Sequence, residues 1–274
     1  MGLLSFVVTV LAAGLGLSAV MAAAWRVQQV TGNSGWIDVF WTFGTGAAAV
    51  AIALLPFDPS WPQPRQILVA ALVGLWSLRL GWHILIRTRM TSDDPRYRDL
   101  IVQWGAEAPV KLFWQLQIQA AVGLLLAASV MLAAQNPAPF IRVLDVVGAM
   151  VLLAGIAGEA AADRQLRLFK RDPANRGKIC DAGLWRWSRH PNYFFEWLCW
   201  LAYPIIAIDL AGNNPLGPLA LLAPLAMYWI LVHVSGIPPL EAHMARTRGP
   251  AFDDYRARTS AFFPLPPRAK SRTG

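Results

Sequence analysis

The run LFWQLQIQAAVGLLLAASVMLAA, residues 112–134, carries no charged side chain and decides the class of fold. As a helix it would be about 35 Å long, because each residue adds about 1.5 Å, and bilayer hydrocarbon is about 30 Å thick. Six further runs are largely apolar and of similar length, at 3–24, 35–55, 67–86, 141–161, 196–212 and 216–235. We therefore predict an all-α integral membrane protein with seven transmembrane helices.

The composition of the chain agrees with this class. Of its 274 residues, 56% are hydrophobic and only 15% are charged, whereas about a quarter of the residues in a soluble domain are charged. No linker-like stretch and no internal repeat divides the sequence. The sequence predicts one polytopic membrane domain at residues 1–265, followed by a disordered basic tail at 266–274.

Basic residues concentrate in three segments between or after the predicted spans. The net charge is +8, and 20 of the 24 Lys and Arg residues fall within 87–111, 164–189 and 246–272. These segments follow spans three, five and seven, so they share one side of the membrane. The positive-inside rule makes that side the cytoplasm. We predict a multi-pass protein of the cell inner membrane, with its N-terminus outside, its C-terminus in the cytoplasm and its active site open to the cytoplasm. No nucleic-acid-binding fold accompanies the charge, so we expect no nucleic-acid partner.

Ionisable side chains also occur inside the predicted spans, where they cost free energy and usually face a partner or a cavity. Arg79 and His83 lie four residues apart and therefore on one helix face. We predict Asp38 and Arg79 as catalytic, because an acid and a guanidinium can polarise a substrate oxygen or donate a proton. A structural ion pair between them is the alternative. The predicted substrate pocket consists of Trp36, Trp41, Trp76 and His83. No histidine or cysteine has a partner at ligand spacing, so we predict no metal.

The segment LWRWSRHPNY, residues 184–193, places cations and aromatic rings before an apolar helix that carries Glu196. Guanidinium groups bind phosphate with two parallel hydrogen bonds and stack on flat rings. The blocks 163–173 and 252–259 add further cations and acceptors. Glycine-rich phosphate loops of the GxGxxG or P-loop type are absent, which excludes a soluble dinucleotide-binding fold. Any nucleotide would have to be held between helices.

Several motifs together resemble the steroid 5-alpha-reductase superfamily, which includes the sterol C14-reductases. The closest likeness is to its bacterial branch, described as domain of unknown function 1295. The likeness covers nearly the whole chain, with the motifs in family order. They are GWIDVFW at 35–41, DPRY at 94–97, GLW at 183–185, SRHPNYFFE at 188–196, and Asp254-Tyr255 followed by Pro264.

This resemblance implies a seven-helix bundle whose cofactor cavity opens to the cytoplasm. It implies transfer of a hydride from NADPH to a carbon–carbon double bond in a flat apolar lipid or steroid held in the bilayer. Residues near the nicotinamide and its phosphate would be Asn192, Tyr193, Glu196, Tyr255 and Arg258. Residues holding the adenine and its phosphates would be Arg164, Lys170, Arg171, Trp185, Arg189 and His190.

Two departures from the family pattern bear on the substrate. Phe195 stands where the family has a glycine, immediately before the acid that Glu196 matches. Ile37 and Asp38 stand where steroid 5-alpha-reductases have a Gln-Glu pair, and Trp76 stands near the place of a family tyrosine. A steroid substrate of the usual kind is therefore less strongly implied than the reductase chemistry.

Two other functions remain open from the residues. Methyltransferases that use S-adenosylmethionine on lipids or isoprenylcysteine share an Arg-His-Pro-aromatic signature and a late acid, which Arg189-His190-Pro191 and Glu241 would match. A non-enzymatic lipid-binding protein would use the Arg, Trp and Asn residues as anchors at the membrane interface. The 13 tryptophans agree with that alternative.

Overall fold

The computed structural model describes residues 3–57, 63–90 and 93–268, and this part of the chain is all-α. Short 3-10 turns occur at Gly105–Glu107, Pro173–Asn175, Gly183–Arg186 and Gly217–Leu221, and a π turn at Ile230–Val234. The α-helices are α1 Leu3–Thr31, α2 Gly35–Ala53, α3 Pro64–Met90, α4 Pro95–Trp104, α5 Ala108–Ala134, α6 Val143–Arg171, α7 Pro191–Ala207, α8 Leu222–Trp229, α9 Ile237–Arg248 and α10 Pro250–Arg258.

Six helical segments in the described part of the chain are long and apolar enough to cross a membrane. They are Val7–Thr31, Gly35–Ala53, Pro64–Met90, Arg96–Ala134, Val143–Arg171 and Gly217–Arg248. The prediction of a multi-pass, all-α membrane protein is confirmed at this level. The predicted span 196–212 corresponds to α7, which has 17 residues with Pro204 inside it and is not among the six. Large apolar side chains such as Leu15 and Ile118 lie exposed on the helix surfaces, as lipid contact requires.

The chain forms two compact units. Unit 1 comprises Met1–Met150 and Leu201–Ala223, and unit 2 comprises Val151–Trp200 and Pro224–Gly274. Helices α6 and α7 contribute residues to both. The predicted basic tail belongs to unit 2, and all of it beyond residue 268 lies outside the described residues.

Small residues set the packing of the helices in unit 1. Gly46 on α2 lies so close to Ser77 on α3 that no Cβ could be accommodated, and Gly81 on α3 faces the ring of Phe43 in the same way. Close approach at small residues is the usual way in which membrane helices gain packing energy, since lipid is as apolar as the helix surface.

Unit 1 also contains a buried ion network. The Arg65 guanidinium donates to both carboxylate oxygens of Asp145, from Nε at 3.0 Å and from Nη2 at 2.9 Å. Arg65 Nη1 donates to the carbonyl oxygens of Asn136 and Ala138. Arg142 Nη2 donates to Asp145 at 3.0 Å. Both Arg65 and Asp145 are almost fully buried, so this network holds the start of α3 to the loop before α6.

In unit 2, α6 packs against α7 through its glycines. Gly155 contacts Cys199, and Gly158 contacts the ring of Phe195 without room for a Cβ. The turn Gly183–Arg186 is fastened to α6, because Trp185 Nε1 donates to the carbonyl oxygen of Ala162 at 3.0 Å. The segment after α10 is fastened in turn to the residues before α7: Arg189 N donates to the carbonyl oxygen of Ser260 at 2.8 Å.

Candidate functional site

Two motifs that lie far apart in the sequence meet at one polar cluster in unit 1. Asp38 is in the first turn of α2, and Arg96 and Tyr97 are in the first turn of α4. Arg96 Nη2 lies 2.5 Å from Asp38 Oδ2, and the Tyr97 hydroxyl donates to Asp38 Oδ1 at 3.3 Å. The GWID and DPRY motifs therefore build a common site.

Helix capping explains why these side chains meet. The Asp94 side chain accepts from Arg96 N at 3.0 Å at the start of α4, where Pro95 takes the first helical position. Asp93 Oδ1 accepts from Ser34 N at 2.9 Å, just before α2 begins. The beginnings of α2 and α4 are thus bonded to each other, which brings Arg96 beside Asp38.

Arg87 and Gln119 complete a group of six residues that we name the unit 1 cluster: Asp38, Arg87, Asp94, Arg96, Tyr97 and Gln119. Arg87 Nη2 lies 3.7 Å from Asp38 and 3.6 Å from Asp94. Gln119 Nε2 donates to the Tyr97 hydroxyl at 2.9 Å. Burial alone would raise the pKa of Asp94, but the hydrogen bond and charge of Arg96 outweigh it and hold that pKa below its ordinary value. The cluster combines acceptors, cations and one phenol that can donate a proton.

The residues predicted to form the substrate pocket, together with Arg79, lie on α2 and α3. Arg79 and His83 are half-buried on successive turns of α3, as their spacing predicts. Trp41 and Trp76 pack edge to face with their ring centroids 6.4 Å apart, and Trp41 Nε1 donates to the carbonyl oxygen of Gln119. Trp36 is half-buried at the start of α2.

Sequence reasoning assigned no role to Arg87, Arg96, Tyr97 or Gln119. The signal for Arg96 and Tyr97 was the position of the DPRY motif, which follows the predicted span 67–86 closely. For Gln119 the signal was its position within the apolar run of α5, since an amide inside a membrane span needs a hydrogen-bond partner. The partner in each case could be known only from the fold.

In unit 2, the Arg-His-Pro signature is bonded to the late acid Glu241 on α9. Arg189 Nε donates to Glu241 Oε1 at 2.7 Å, and Arg189 Nη2 donates to Oε2 at 3.1 Å. His190 Nε2 lies 3.0 Å from Oε1. Arg189 Nη1 donates to the carbonyl oxygens of Arg256 and Thr259. All three guanidinium nitrogens of Arg189 are therefore used within the protein.

The surroundings of His190 favour its neutral form. Burial lowers its pKa, although the Glu241 carboxylate acts in the opposite direction. The ring stacks on Tyr193, with centroids 5.6 Å apart and the planes 12° from parallel. Protonation at Nε2 lets the ring donate to Glu241, which leaves Nδ1 as an acceptor. The segment entering α7 is thus fixed by both a hydrogen bond and a ring stack.

Two residues of α10 hold the same segment from another side. The buried Tyr255 hydroxyl donates to the carbonyl oxygen of Trp185 at 2.5 Å, and burial raises the pKa of this phenol. Arg258 lies 3.5 Å from Asp181 and 3.3 Å from Asp254. Four of the residues predicted to bind the cofactor, Trp185, Arg189, His190 and Tyr255, are therefore joined in one unit 2 network together with Glu241.

Two other residues predicted to bind the cofactor lie on the first turn of α7, and their polar side-chain groups have no hydrogen-bond partner among the described residues. Asn192 and Tyr193 are half-buried, and neither side chain forms a hydrogen bond with the residues that the structure describes. Glu196, one turn further on, is buried and accepts from Trp200 Nε1 at 2.9 Å. Phe195 points its ring at Gly158 of α6. The glycine on α6 thus provides the space that the Phe195 ring occupies.

The cations of α6 are not all brought to this network. Successive helical residues are rotated by about 100°, so Arg164 and Arg171 point roughly 180–200° away from Ala162, whose carbonyl accepts from Trp185. Lys170, by contrast, lies near enough to Cys180 for its charge to act on that thiol. Cys180 precedes the turn that is bonded to α6, so Lys170 lies on the side of α6 that faces the unit 2 network. Among the described residues, no group of three or more His, Cys, Asp and Glu could hold a metal ion.

Comparison with known proteins identifies the family but not an activity. An uncharacterized protein of Schizosaccharomyces pombe is 25% identical over 280 residues, covering 92% of this chain and 78% of that protein. No solved structure is significantly similar to this chain. The family model described as "Protein of unknown function (DUF1295)" matches residues 24–259, which include both the unit 1 cluster and the unit 2 network. The chain therefore belongs to the DUF1295 family.

Proposed function

We propose that this protein is an integral membrane reductase that transfers a hydride from NADPH to a carbon–carbon double bond of a flat, oxygen-bearing lipid or steroid. The motifs that resemble the steroid 5-alpha-reductases support this proposal, because they supply the residues of both polar sites. We further propose that α7 crosses the bilayer as a seventh span, with the N-terminus outside the cell inner membrane. The distribution of basic residues supports that orientation, with the active site open to the cytoplasm.

One observation carries the proposal: an amide and a phenol that form no hydrogen bond with the described residues lie on a segment that is itself held by hydrogen bonds. Asn192 and Tyr193 follow directly after Arg189 and His190, which Glu241 holds. A nicotinamide has a carboxamide that needs both a donor and an acceptor, and the Asn192 side chain supplies both. Binding sites are most selective when their polar groups are held by a fixed surrounding network.

The donors present in unit 2 fit an NADPH molecule in part. Arg186 is exposed and has no ion pair within the described chain, so it is free to meet a phosphate. Lys170 adds a second cation near the turn. Arg189 and Tyr255 would position the segment and not touch the cofactor, since four of the five N–H donors of Arg189 and the hydroxyl of Tyr255 are already used. When bound, NADPH supplies the hydride, and the chain supplies orientation and exclusion of water.

The reduction also needs a proton, which we assign to the unit 1 cluster. A hydride adds its electron pair to one carbon of the double bond, and a proton completes the neighbouring carbon or its conjugated oxygen. We propose that the Tyr97 phenol releases that proton to the substrate, while the Asp38 carboxylate, which accepts from the phenol, holds it in place and Arg79 polarises the substrate oxygen. Gln119 orients Tyr97 by donating to its oxygen, so that the phenolic hydrogen faces Asp38.

Replacing Asn192 by alanine should weaken NADPH binding about tenfold, since loss of hydrogen bonds to the carboxamide removes on the order of 1.4 kcal/mol. The measurement is a fluorescence titration of protein purified in mild detergent. Asn175→Ala is the control, because Asn175 lies in the same unit but bonds only to the carbonyl oxygen of Phe169. Equal NADPH affinity in Asn192→Ala and the wild type would remove Asn192 from the site.

Replacing Asp38 by asparagine should lower turnover by roughly 100-fold or more while leaving NADPH affinity unchanged, because general acid catalysis contributes about that factor. Turnover is followed as NADPH consumption with a 4-ene-3-one steroid as the probe substrate. Asp93→Asn is the control: it removes a charge near the same helix end but keeps an oxygen to accept from Ser34. Full activity of Asp38→Asn would make Asp38 a structural residue.

A specific observation favours a second candidate, a lipid methyltransferase that uses S-adenosylmethionine. The residues that resemble those enzymes, Arg189, His190 and Glu241, are bonded together in the structure. One adenosine with a sulfonium also needs fewer cations than a dinucleotide, and four of the five N–H donors of Arg189 are already used within the protein. Competition between the two cofactors for the purified protein separates the candidates.

A further inference from the structure

The exposed face of α6 changes from apolar to basic along its length. Val146, Met150 and Leu153 are exposed in the first half of the helix. After a stretch of small residues, the exposed side chains become those of three arginines, which we name the arginine stripe: Arg164, Arg167 and Arg171. Their spacing of three, four and seven residues places them on one helix face. The exposed Leu168 lies among them, so the surface remains amphipathic.

The length of the apolar part matches a bilayer. From Val143, where α6 begins, to Arg164 there are 21 residues, which corresponds to about 32 Å along a helix against a hydrocarbon thickness of about 30 Å. If Val143 lies at one edge of the hydrocarbon, Arg164 lies at the other. The arginine stripe then begins at the level of the lipid headgroups, on the helix face that contacts lipid.

The three arginines have no acidic partner within the part of the chain that the structure describes. Within residues 3–57, 63–90 and 93–268, none of the three forms a hydrogen bond or an ion pair. Arg65, Arg96 and Arg189, by contrast, are each bonded to a carboxylate. Three guanidinium groups without a counter-charge on one face attract anions strongly, and phosphate oxygens match their geometry.

We propose that the arginine stripe binds the phosphate of an anionic lipid headgroup, in a site separate from the unit 2 network. Continuity with the lipid-facing surface of α6 favours a lipid over a soluble nucleotide. The orientation of the arginine stripe also favours a lipid, because the stripe points roughly opposite to Ala162 and to the turn that is bonded to Ala162. Bidentate contact with phosphate also explains why this face carries arginine and not lysine. This inference is independent of the proposed reductase activity.

The test compares two double variants with the same change in charge. Arg164→Gln/Arg167→Gln removes two cations from the stripe, and Arg176→Gln/Lys178→Gln removes two cations from the following loop, which also lack ion pairs within the described chain. The affinity of each purified protein for dihexanoyl-phosphatidylglycerol in neutral detergent is measured. Dihexanoyl-phosphatidylcholine and inorganic phosphate serve as the neutral-lipid and free-anion probes. Equal thermal midpoints in neutral detergent establish that each variant is folded.

We expect the stripe variant to lose about tenfold in affinity for phosphatidylglycerol, and the loop variant to change by less than about twofold. Inorganic phosphate should bind far more weakly than the lipid, because it lacks the acyl chains that contact the apolar face. Equal losses in both variants would show a nonspecific charge effect and overturn the site. Unchanged lipid affinity together with a loss of NADPH affinity in the stripe variant would return these arginines to a nucleotide site.

Discussion

Replacing Asp145 by alanine is expected to lower the free energy of unfolding by about 3–5 kcal/mol, the cost of leaving one charge of a buried pair unpaired. The Arg65 guanidinium would keep its bonds to the carbonyl oxygens of Asn136 and Ala138 but lose both carboxylate contacts. Arg142 would lose the same partner. Unfolding of the detergent-purified protein by a denaturing detergent measures the change.

Two further variants distinguish a missing charge partner from a missing side chain. Arg65→Met/Asp145→Leu replaces the pair by apolar groups of similar volume, and it should recover much of the loss because no buried charge remains between them. Glu107→Ala removes an exposed acid that pairs with Lys111, and it should leave stability almost unchanged. If Asp145→Ala is as stable as Glu107→Ala, the network does not hold unit 1 together.

Replacing Glu241 by alanine is the second change with a large expected effect. It removes two hydrogen bonds from Arg189 and one contact from His190, both of them buried or nearly so. Loss of the acceptor should cost about 3 kcal/mol, because the Arg189 charge would stay buried without its partner. The segment entering α7 would loosen, and cofactor binding of either kind should weaken with it.

The buried thiol of Cys180 reports this loosening locally. It lies just before the turn that Tyr255 and Arg258 hold, so its rate of modification by a thiol reagent should rise in Glu241→Ala. Asp253→Ala, which removes an exposed acid paired with Arg256 in the same unit, is the matched control. Unchanged labelling and unchanged cofactor affinity in Glu241→Ala would show that Glu241 does not organise the site.

Much of the fold follows from sequence patterns alone. The predicted span 35–55 is α2 at Gly35–Ala53, and 112–134 is the body of α5. Most of the predicted span 141–161 lies within α6, which continues to Arg171 and ends two residues before Pro173. These elements are predictable because the thickness of the bilayer sets the length of an apolar helix and a proline marks where a helix ends. Both signals can be read directly along the sequence. Helix α4 was not predicted, because its ten residues are too short and too polar to produce a membrane signal.

The polar sites were predictable only in part. Motif likeness singled out Asp38, Arg189 and His190 as candidates, but it could not show their partners. Asp38 bonds to a residue 58 positions away, and Arg189 to one 52 positions away. No periodicity encodes such pairs, which depend on how the helices pack. An arginine that looks suited to phosphate in the sequence can therefore have all its nitrogens used by the protein itself.

Binding of NADPH by unit 2 is tested most directly by titrating the purified wild-type protein with NADPH and with S-adenosylmethionine. The proposed reductase should bind NADPH, with S-adenosylmethionine unable to displace it. Binding of S-adenosylmethionine without NADPH would contradict the reductase and establish the methyltransferase candidate. Binding of neither cofactor by folded protein would contradict both enzymes and leave a lipid-binding membrane protein.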